Sequence, residues 1–232
     1  MATSGTNIDF QTFSSDQAWL QASTQFIVQS IQSQLSKGGK FRLALSGGST
    51  PKPVYKNLVD QNIPFSQIDL FQVDERYVPA ESSDLNASML RETLSLDVNQ
   101  FHASYFFDTS IPLVESVQAY ERALVKMSQP LFHLTILGIG PDGHTASLFP
   151  NSSALRSEFL VATTTTDIFA GRERLTLTPK ALMASETVLI LAKGREKEAV
   201  IKAFVDGSQS IGDLPITCVR QHPNLHFFYQ NS

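Results

Sequence analysis

The chain has one cysteine, one tryptophan and no apolar run of the roughly 18 residues that a membrane-spanning helix requires. A lone thiol, Cys218, can neither close an intrachain disulfide nor build a cysteine-rich metal site, and it reads as a small buried strand residue. Charge of one sign is scarce too: 18 Lys and Arg stand against 22 Asp and Glu, a formal net charge of −4. With no basic stripe to neutralise phosphates, nucleic-acid binding is not expected. The first residues, Met1-Ala-Thr-Ser-Gly-Thr-Asn7, lack the basic and apolar regions of a secretory signal, so a cytoplasmic location is expected. No internal repeat, low-complexity tract or dividing linker is visible. What is there is the composition of an ordinary folded protein, 232 residues long, 42% hydrophobic and 17% charged.

Apolar periodicity alternates between two kinds along the chain. Asp16 to Leu35 carries Trp19, Leu20, Phe26, Ile27, Ile31 and Leu35 at helical spacing, with Ser14 or Ser15 as cap. Phe41–Leu45 reads as a strand, followed across Ser46–Pro51 by a helix holding Val54, Tyr55, Leu58 and Val59. Further strands are expected at Ile68–Val73, Leu131–Leu137, Phe159–Ala162, Thr187–Ala192, Ile216–Val219 and His226–Tyr229. Helices are expected near 86–94, 114–127, 180–183 and 196–204. Alternating strands and helices, with nearly continuous apolar strands, imply an α/β fold with a mostly parallel sheet covered by helices on both faces. One domain over residues 1–232 is expected, with residues 1–9 as a loose N-terminal segment.

Four loops carry chemistry-bearing residues. Ser46-Gly47-Gly48-Ser49-Thr50-Pro51 joins a strand to a helix and offers backbone N–H groups and hydroxyls to an anion. This loop has neither the lysine of a nucleotide P-loop nor a dinucleotide glycine pattern, and a plain capped turn would read the same way. Asp74-Glu75-Arg76 ends a strand before Pro79; Arg76 could fork onto a phosphate or carboxylate and Asp74 could accept sugar hydroxyls, or the charges could be a solvated ion pair. Asp142 and His144 sit in a loop of glycine and proline after an apolar strand, and an Asp beside a His is a common way to orient a general base. That is also where open α/β sheets bind ligands. The other histidines, His102, His133, His222 and His226, read as structural. No metal-ligand spacing accompanies His144, so no metal is expected. The fourth group is basic: Arg172, Arg174, Lys193, Arg195 and Lys197 cluster around predicted strand ends and suggest a positive pocket in an acidic protein. The residues alone lead to a small phosphate- or carboxylate-bearing substrate and acid–base chemistry, and leave the reaction open.

Leu45-Ser-Gly-Gly-Ser-Thr-Pro51, Asp74-Glu-Arg-Tyr-Val-Pro79, Ser83-Asp-Leu-Asn86, Gly138-Ile-Gly-Pro-Asp-Gly-His-Thr-Ala-Ser-Leu-Phe-Pro150 and Arg174-Leu-Thr-Leu-Thr178 together resemble the 6-phosphogluconolactonase family, in that family's order. The family groups with the glucosamine-6-phosphate isomerase/deaminases. The resemblance implies a modified Rossmann-like fold and hydrolysis of 6-phospho-D-glucono-1,5-lactone in the oxidative pentose phosphate pathway. It implies His144 as general base with Asp142 as its neighbour, Asp74 and Arg76 at the ring and carbonyl, and Gly47, Gly48, Ser49, Thr50, Arg174 and Lys197 on the 6-phosphate. No organic cofactor, membrane or nucleic-acid partner is implied, and the oligomeric state is left open, a monomer being the simplest case.

Two other readings compete. The deaminases carry a glutamate after their D-G-H, before the proline; this chain has Ala146-Ser-Leu-Phe-Pro150, without a carboxylate. They also have tyrosine where Arg76 stands. A non-catalytic sugar-phosphate sensor would keep the fold and lose turnover, yet Asp142 and His144 are both in place.

Overall fold

The computed structural model describes residues 8–94, 100–169 and 172–231. The chain runs β1 (Ile8–Phe13), α1 (Asp16–Ser36), β2 (Phe41–Leu45), α2 (Lys52–Val59), β3 (Ile68–Gln72), β4 (Asp74–Arg76), α3 (Asn86–Leu94), β5 (Ala103–Tyr105), α4 (Leu113–Leu124), β6 (Leu134–Gly138), β7 (Val161–Thr165), β8 (Glu173–Leu177), α5 (Pro179–Met183), β9 (Val188–Lys193), α6 (Glu198–Asp206) and β10 (Leu225–Gln230). Seven strands form a parallel sheet in the order β1, β10, β9, β6, β2, β3, β5. A second, antiparallel sheet has the order β4, β8, β7.

The apolar strands explain why both faces of the large sheet are covered. Along β9, Leu189 and Leu191 pack with Trp19, Ile27, Val54 and Leu90, while Val188, Ile190 and Ala192 pack with Leu124, Leu182 and Phe204. Successive side chains point to opposite faces, so α1, α2 and α3 lie on one side and α4, α5 and α6 on the other. Each fully buried Leu or Ile contributes about 1.5–3 kcal/mol. Leu175, Leu177 and Val161 of the small sheet join the same apolar cluster as Phe71, Leu137 and Ile190 of the large one, which packs the two sheets into one domain. Two polar contacts tie elements together: Trp19 Nε1–H donates to the Phe228 carbonyl at 3.1 Å, and Glu121 accepts from the Leu160 and Val161 N–H groups at 3.2 and 2.8 Å. Ser15, of the two serines expected, caps α1 by accepting from the Ala18 N–H.

Several expectations need correction. Ile216-Thr-Cys-Val219 is a 3-10 helix spanning Pro215–Val219, not a strand. Pro215 cannot donate to a sheet ladder, and the Ile216 N–H is instead spent on the Gly143 carbonyl at 3.0 Å. Cys218 therefore sits on that helix, packed against the core, where burial pushes its thiol up to about 12. The strand expected at Phe159–Ala162 begins at Val161, and Phe159 is 68% exposed. Residues 1–7 lie outside the described residues, while Ile8 and Asp9 pair with Leu225 and His226 in β1 rather than hanging loose. Asp74–Arg76 is a strand, not a loop, and pairs with β8. No helix among the described residues is long and apolar enough to cross a membrane.

Candidate active site

The strand order places the site. From β2 the chain winds outward to β3 and β5; from β6 it winds the other way to β9 and β10. Strands β2 and β6 are neighbours, so their following loops leave the carboxyl edge in divergent directions and open a crevice. A cleft of about 240 Å³ lies there. Gly47, Gly48, Ser49, Thr50, Asp74, Arg76, His144, Arg174 and Lys197 all line it. Asp142 does not line it; it stands behind His144.

His144 is set from three sides. Asp142 Oδ1 lies 2.5 Å from His144 Nδ1 and also accepts the His144 backbone N–H at 3.2 Å. Burial raises the Asp142 carboxyl, but the hydrogen bond and charge of His144 outweigh it and hold the group below the ordinary aspartate range. The imidazole packs on the rings of Phe149 and Phe169 at 5.0 and 4.9 Å. With Nδ1 occupied, Nε2 is the nitrogen left for the cleft. A Cβ on Gly140 would overlap the His144 ring, so glycine there is a condition of this packing. Gly138, Gly140 and Gly143 also match a dinucleotide glycine spacing, yet the chain continues through turns to a 3-10 helix at Ser153–Arg156. No α-helix follows to receive a pyrophosphate.

The small sheet brings in the charges. In β4, Asp74 and Arg76 face the cleft and Glu75 the interior, as strand alternation requires. The antiparallel register sets Arg76 opposite Arg174 and Asp74 opposite Thr176. Two arginines directly across a ladder repel; here they flank Asp74, whose charge they favour. Burial pushes the Asp74 carboxyl above its usual range, opposed first by Ser147, whose hydroxyl donates to Oδ2 at 2.7 Å. Burial likewise holds the Arg174 guanidinium and the Lys197 ammonium below their ordinary values. Such cations gain from an anion beside them.

The loop after β2 faces the start of α2, whose first turn has no side-chain cap. Tyr55 of α2 donates its hydroxyl to the Ser46 carbonyl at 3.1 Å and anchors the loop from below. Of the five cations grouped in sequence, Arg174 and Lys197 reach the cleft. Arg172 pairs with Asp167 at 3.1 Å, Lys193 with Asp16 at 2.5 Å, and Arg195 donates to the Asn231 carbonyl. The four other histidines are bonded away from the cleft: His102 to Asp69, His133 to the Arg42 N–H, His222 to the Ser185 carbonyl and His226 to Asp9. No group of three or more metal-ligating side chains occurs among the described residues.

Several lining residues carry no functional signal in the sequence, Ser147, Asn86 and Phe169 among them. Ser147 lies within the Gly138–Pro150 motif, with no local sign that it would bond Asp74. Asn86 had the signal of opening a helix right after Ser83-Asp84. Phe169 sits between two strands in a polar stretch, and nothing local marks it.

A family model described as glucosamine-6-phosphate isomerases/6-phosphogluconolactonase matches residues 14–227. A 6-phosphogluconolactonase of Thermotoga maritima is 36% identical over 180 residues, covering 74% of this chain and 80% of its own. A probable 6-phosphogluconolactonase of Dictyostelium discoideum is 31% identical, covering 89% and 91%. The crystal structure of the Thermotoga maritima enzyme superposes with a TM-score of 0.86 at 30% identity, over 97% of this chain and 100% of that one. That of the Trypanosoma brucei 6-phosphogluconolactonase gives 0.84 at 26% identity, over 97% and 96%. Sequence and fold agree, and the chain belongs to the glucosamine-6-phosphate isomerase/6-phosphogluconolactonase family.

Proposed function

We propose that this chain hydrolyses 6-phospho-D-glucono-1,5-lactone to 6-phospho-D-gluconate. The observation that carries the reading is His144, held from behind by Asp142, facing a cleft lined by Arg76, Arg174 and Lys197, with Phe149 where a deaminase would have a carboxylate. His144 Nε2 takes a proton from water as its oxygen attacks the lactone carbonyl. The carbonyl oxygen gathers charge beside Arg76, which stabilises it. On collapse the bond to the ring oxygen breaks, and that oxygen takes the proton from His144. Water is consumed, the hydroxy acid is formed, and the base is restored.

The 6-phosphate is assigned to the Gly47–Thr50 backbone at the start of α2, with Arg174 and Lys197 neutralising it. Asp74, with one oxygen held by Ser147, keeps an oxygen for a sugar hydroxyl. These steps draw on water and side chains alone, and we assign no cofactor or metal. A cytoplasmic location belongs to the same proposal.

The test is proton release from the phosphorylated lactone generated in situ, run beside ammonia release from glucosamine 6-phosphate. Acceleration that survives chelator and is lost in His144→Ala supports the assignment. Ammonia release with a silent lactone assay makes the protein a deaminase, and sugar-phosphate binding without either makes it a sensor.

A further inference from the structure

We propose that Glu75 is a positioning residue for this site, setting Arg76 and Asn86 against the cleft; this rests on the lactonase reading above. Glu75 is fully buried, lies on the far side of β4 from the cleft, and touches no substrate space. Its Oε1 accepts the backbone N–H groups of Arg76 at 2.8 Å and Asn86 at 2.6 Å. Its Oε2 accepts the Ala87 N–H at 2.8 Å and the Gln72 side-chain amide at 2.5 Å. The other end of Gln72 is fixed in turn, its Oε1 accepting the Phe107 N–H at 3.1 Å.

One carboxyl group thus joins both ends of the segment from Arg76 to Asn86. The consequence reaches the cleft by two routes. The Arg76 guanidinium donates to the Asp84 carbonyl, two residues before the N–H that Glu75 holds. Asn86 donates its side-chain amide to the Asp74 carbonyl at 2.9 Å, and its side chain fills the space that a Cβ on Gly47 would need. The start of α3, the phosphate loop and the arginine are therefore referred to a single anchor. A helix cap alone does not require this. A surface Ser, Asp or Asn at the N-cap does that without desolvating a charge. The start of α3 is capped instead by a buried carboxylate reaching across from another strand.

Glu75→Gln tests it, because it keeps the shape but turns one acceptor oxygen into an N–H₂ facing backbone N–H groups. Wild type, Glu75→Gln, Arg76→Ala and the double variant are compared for kcat, KM and thermal unfolding. We expect Glu75→Gln to fold and to lose about 10²-fold in kcat/KM, mostly in kcat, with the double variant within about threefold of Arg76→Ala. Multiplicative losses in the double variant, or a Glu75→Gln enzyme within about threefold of wild type, overturn the proposal. Should Glu75→Gln not fold, Gln72→Met removes one donor to Glu75, together with the acceptor of the Phe107 N–H, and leaves the three backbone bonds to Glu75 in place; about tenfold loss, again non-additive with Arg76→Ala, is expected, and additivity there overturns it. A wild type silent on the lactone overturns the lactonase reading and this proposal with it.

Discussion

Asp142→Asn removes one charge and leaves the size of the side chain unchanged, so it isolates what the carboxylate does for His144. In the wild type, Asp142 Oδ1 receives both Nδ1 and the backbone N–H of His144. An asparagine can offer Nδ1 either its oxygen or its N–H₂. The second orientation makes Nδ1 an acceptor, moves the ring proton to Nε2, and leaves no lone pair toward the cleft. A general base contributes about 10²–10⁴-fold, which at 1.36 kcal/mol per decade is about 2.7–5.4 kcal/mol of barrier. Since one of the two orientations preserves the tautomer, the lower end is expected: about 10²-fold in kcat, with KM within about threefold. The cost to the fold is smaller. The two side chains are 24% and 21% exposed, so the pair is partly screened and its loss costs about 1–2 kcal/mol, a drop of a few degrees in Tm. The folded Asp142 carboxyl lies below its ordinary value. Its contribution is therefore present above the unfolded aspartate value of about 4 and is lost as pH falls through the folded one. The stability gap between wild type and variant closes in acid. The kinetic assay is initial-rate proton release with the uncatalysed hydrolysis subtracted, and the stability assay is thermal unfolding across pH. An Asp142→Asn enzyme with unchanged kcat and a raised KM would refute the base–orienter relation.

His144→Ala should lower kcat by about 10²–10⁴-fold while binding of 6-phosphogluconate, measured calorimetrically, changes little. Lys197→Ala should raise KM more than it lowers kcat; an unchanged KM would move the phosphate contact to Arg174 and the α2 loop. Because burial lowers the Lys197 ammonium below the ordinary lysine range, affinity for 6-phosphogluconate should fall as pH rises through that depressed value, and this decline should be absent in Lys197→Ala. Ser147→Ala removes the donor that opposes burial at Asp74, so the Asp74 carboxyl should rise further and the acid limb of the rate profile should shift to higher pH. Ile190→Ala, at a fully buried position of β9, should cost about 2–5 kcal/mol in denaturant unfolding with kcat per folded molecule preserved.

Most of the parallel sheet was legible because its strands are apolar on both faces and its helices carry a periodic stripe. Leu134–Gly138 and Val188–Lys193 can be little else. The elements that misled were those whose pairing is decided elsewhere. Ile216-Thr-Cys-Val219 has the residues of a strand, but Pro215 and the acceptor at Gly143 make it a 3-10 turn. Asp74-Glu-Arg76 has the residues of a loop, but β8 pairs with it. Ile8–Phe13 has no helix or turn signal of its own and is ordered by β10.

Local composition determined that the loops after β2 and β6 would lie at strand ends with glycine and hydroxyl-bearing residues, and that Asp142 would stand two residues from His144. Those are properties of neighbours in the chain. Which of Arg172, Arg174, Lys193, Arg195 and Lys197 face the cleft was not a local matter, since all five are cations close to strand ends. The register of β8 against β4 puts Arg174 across from Arg76, and pairing with Asp16, Asp167 and Asn231 draws the other three aside. The same holds for Phe169 on His144, Ser147 on Asp74 and Glu75 beneath Arg76. Each is a contact between residues far apart or on opposite faces, and only packing selects it from the many that the sequence would allow.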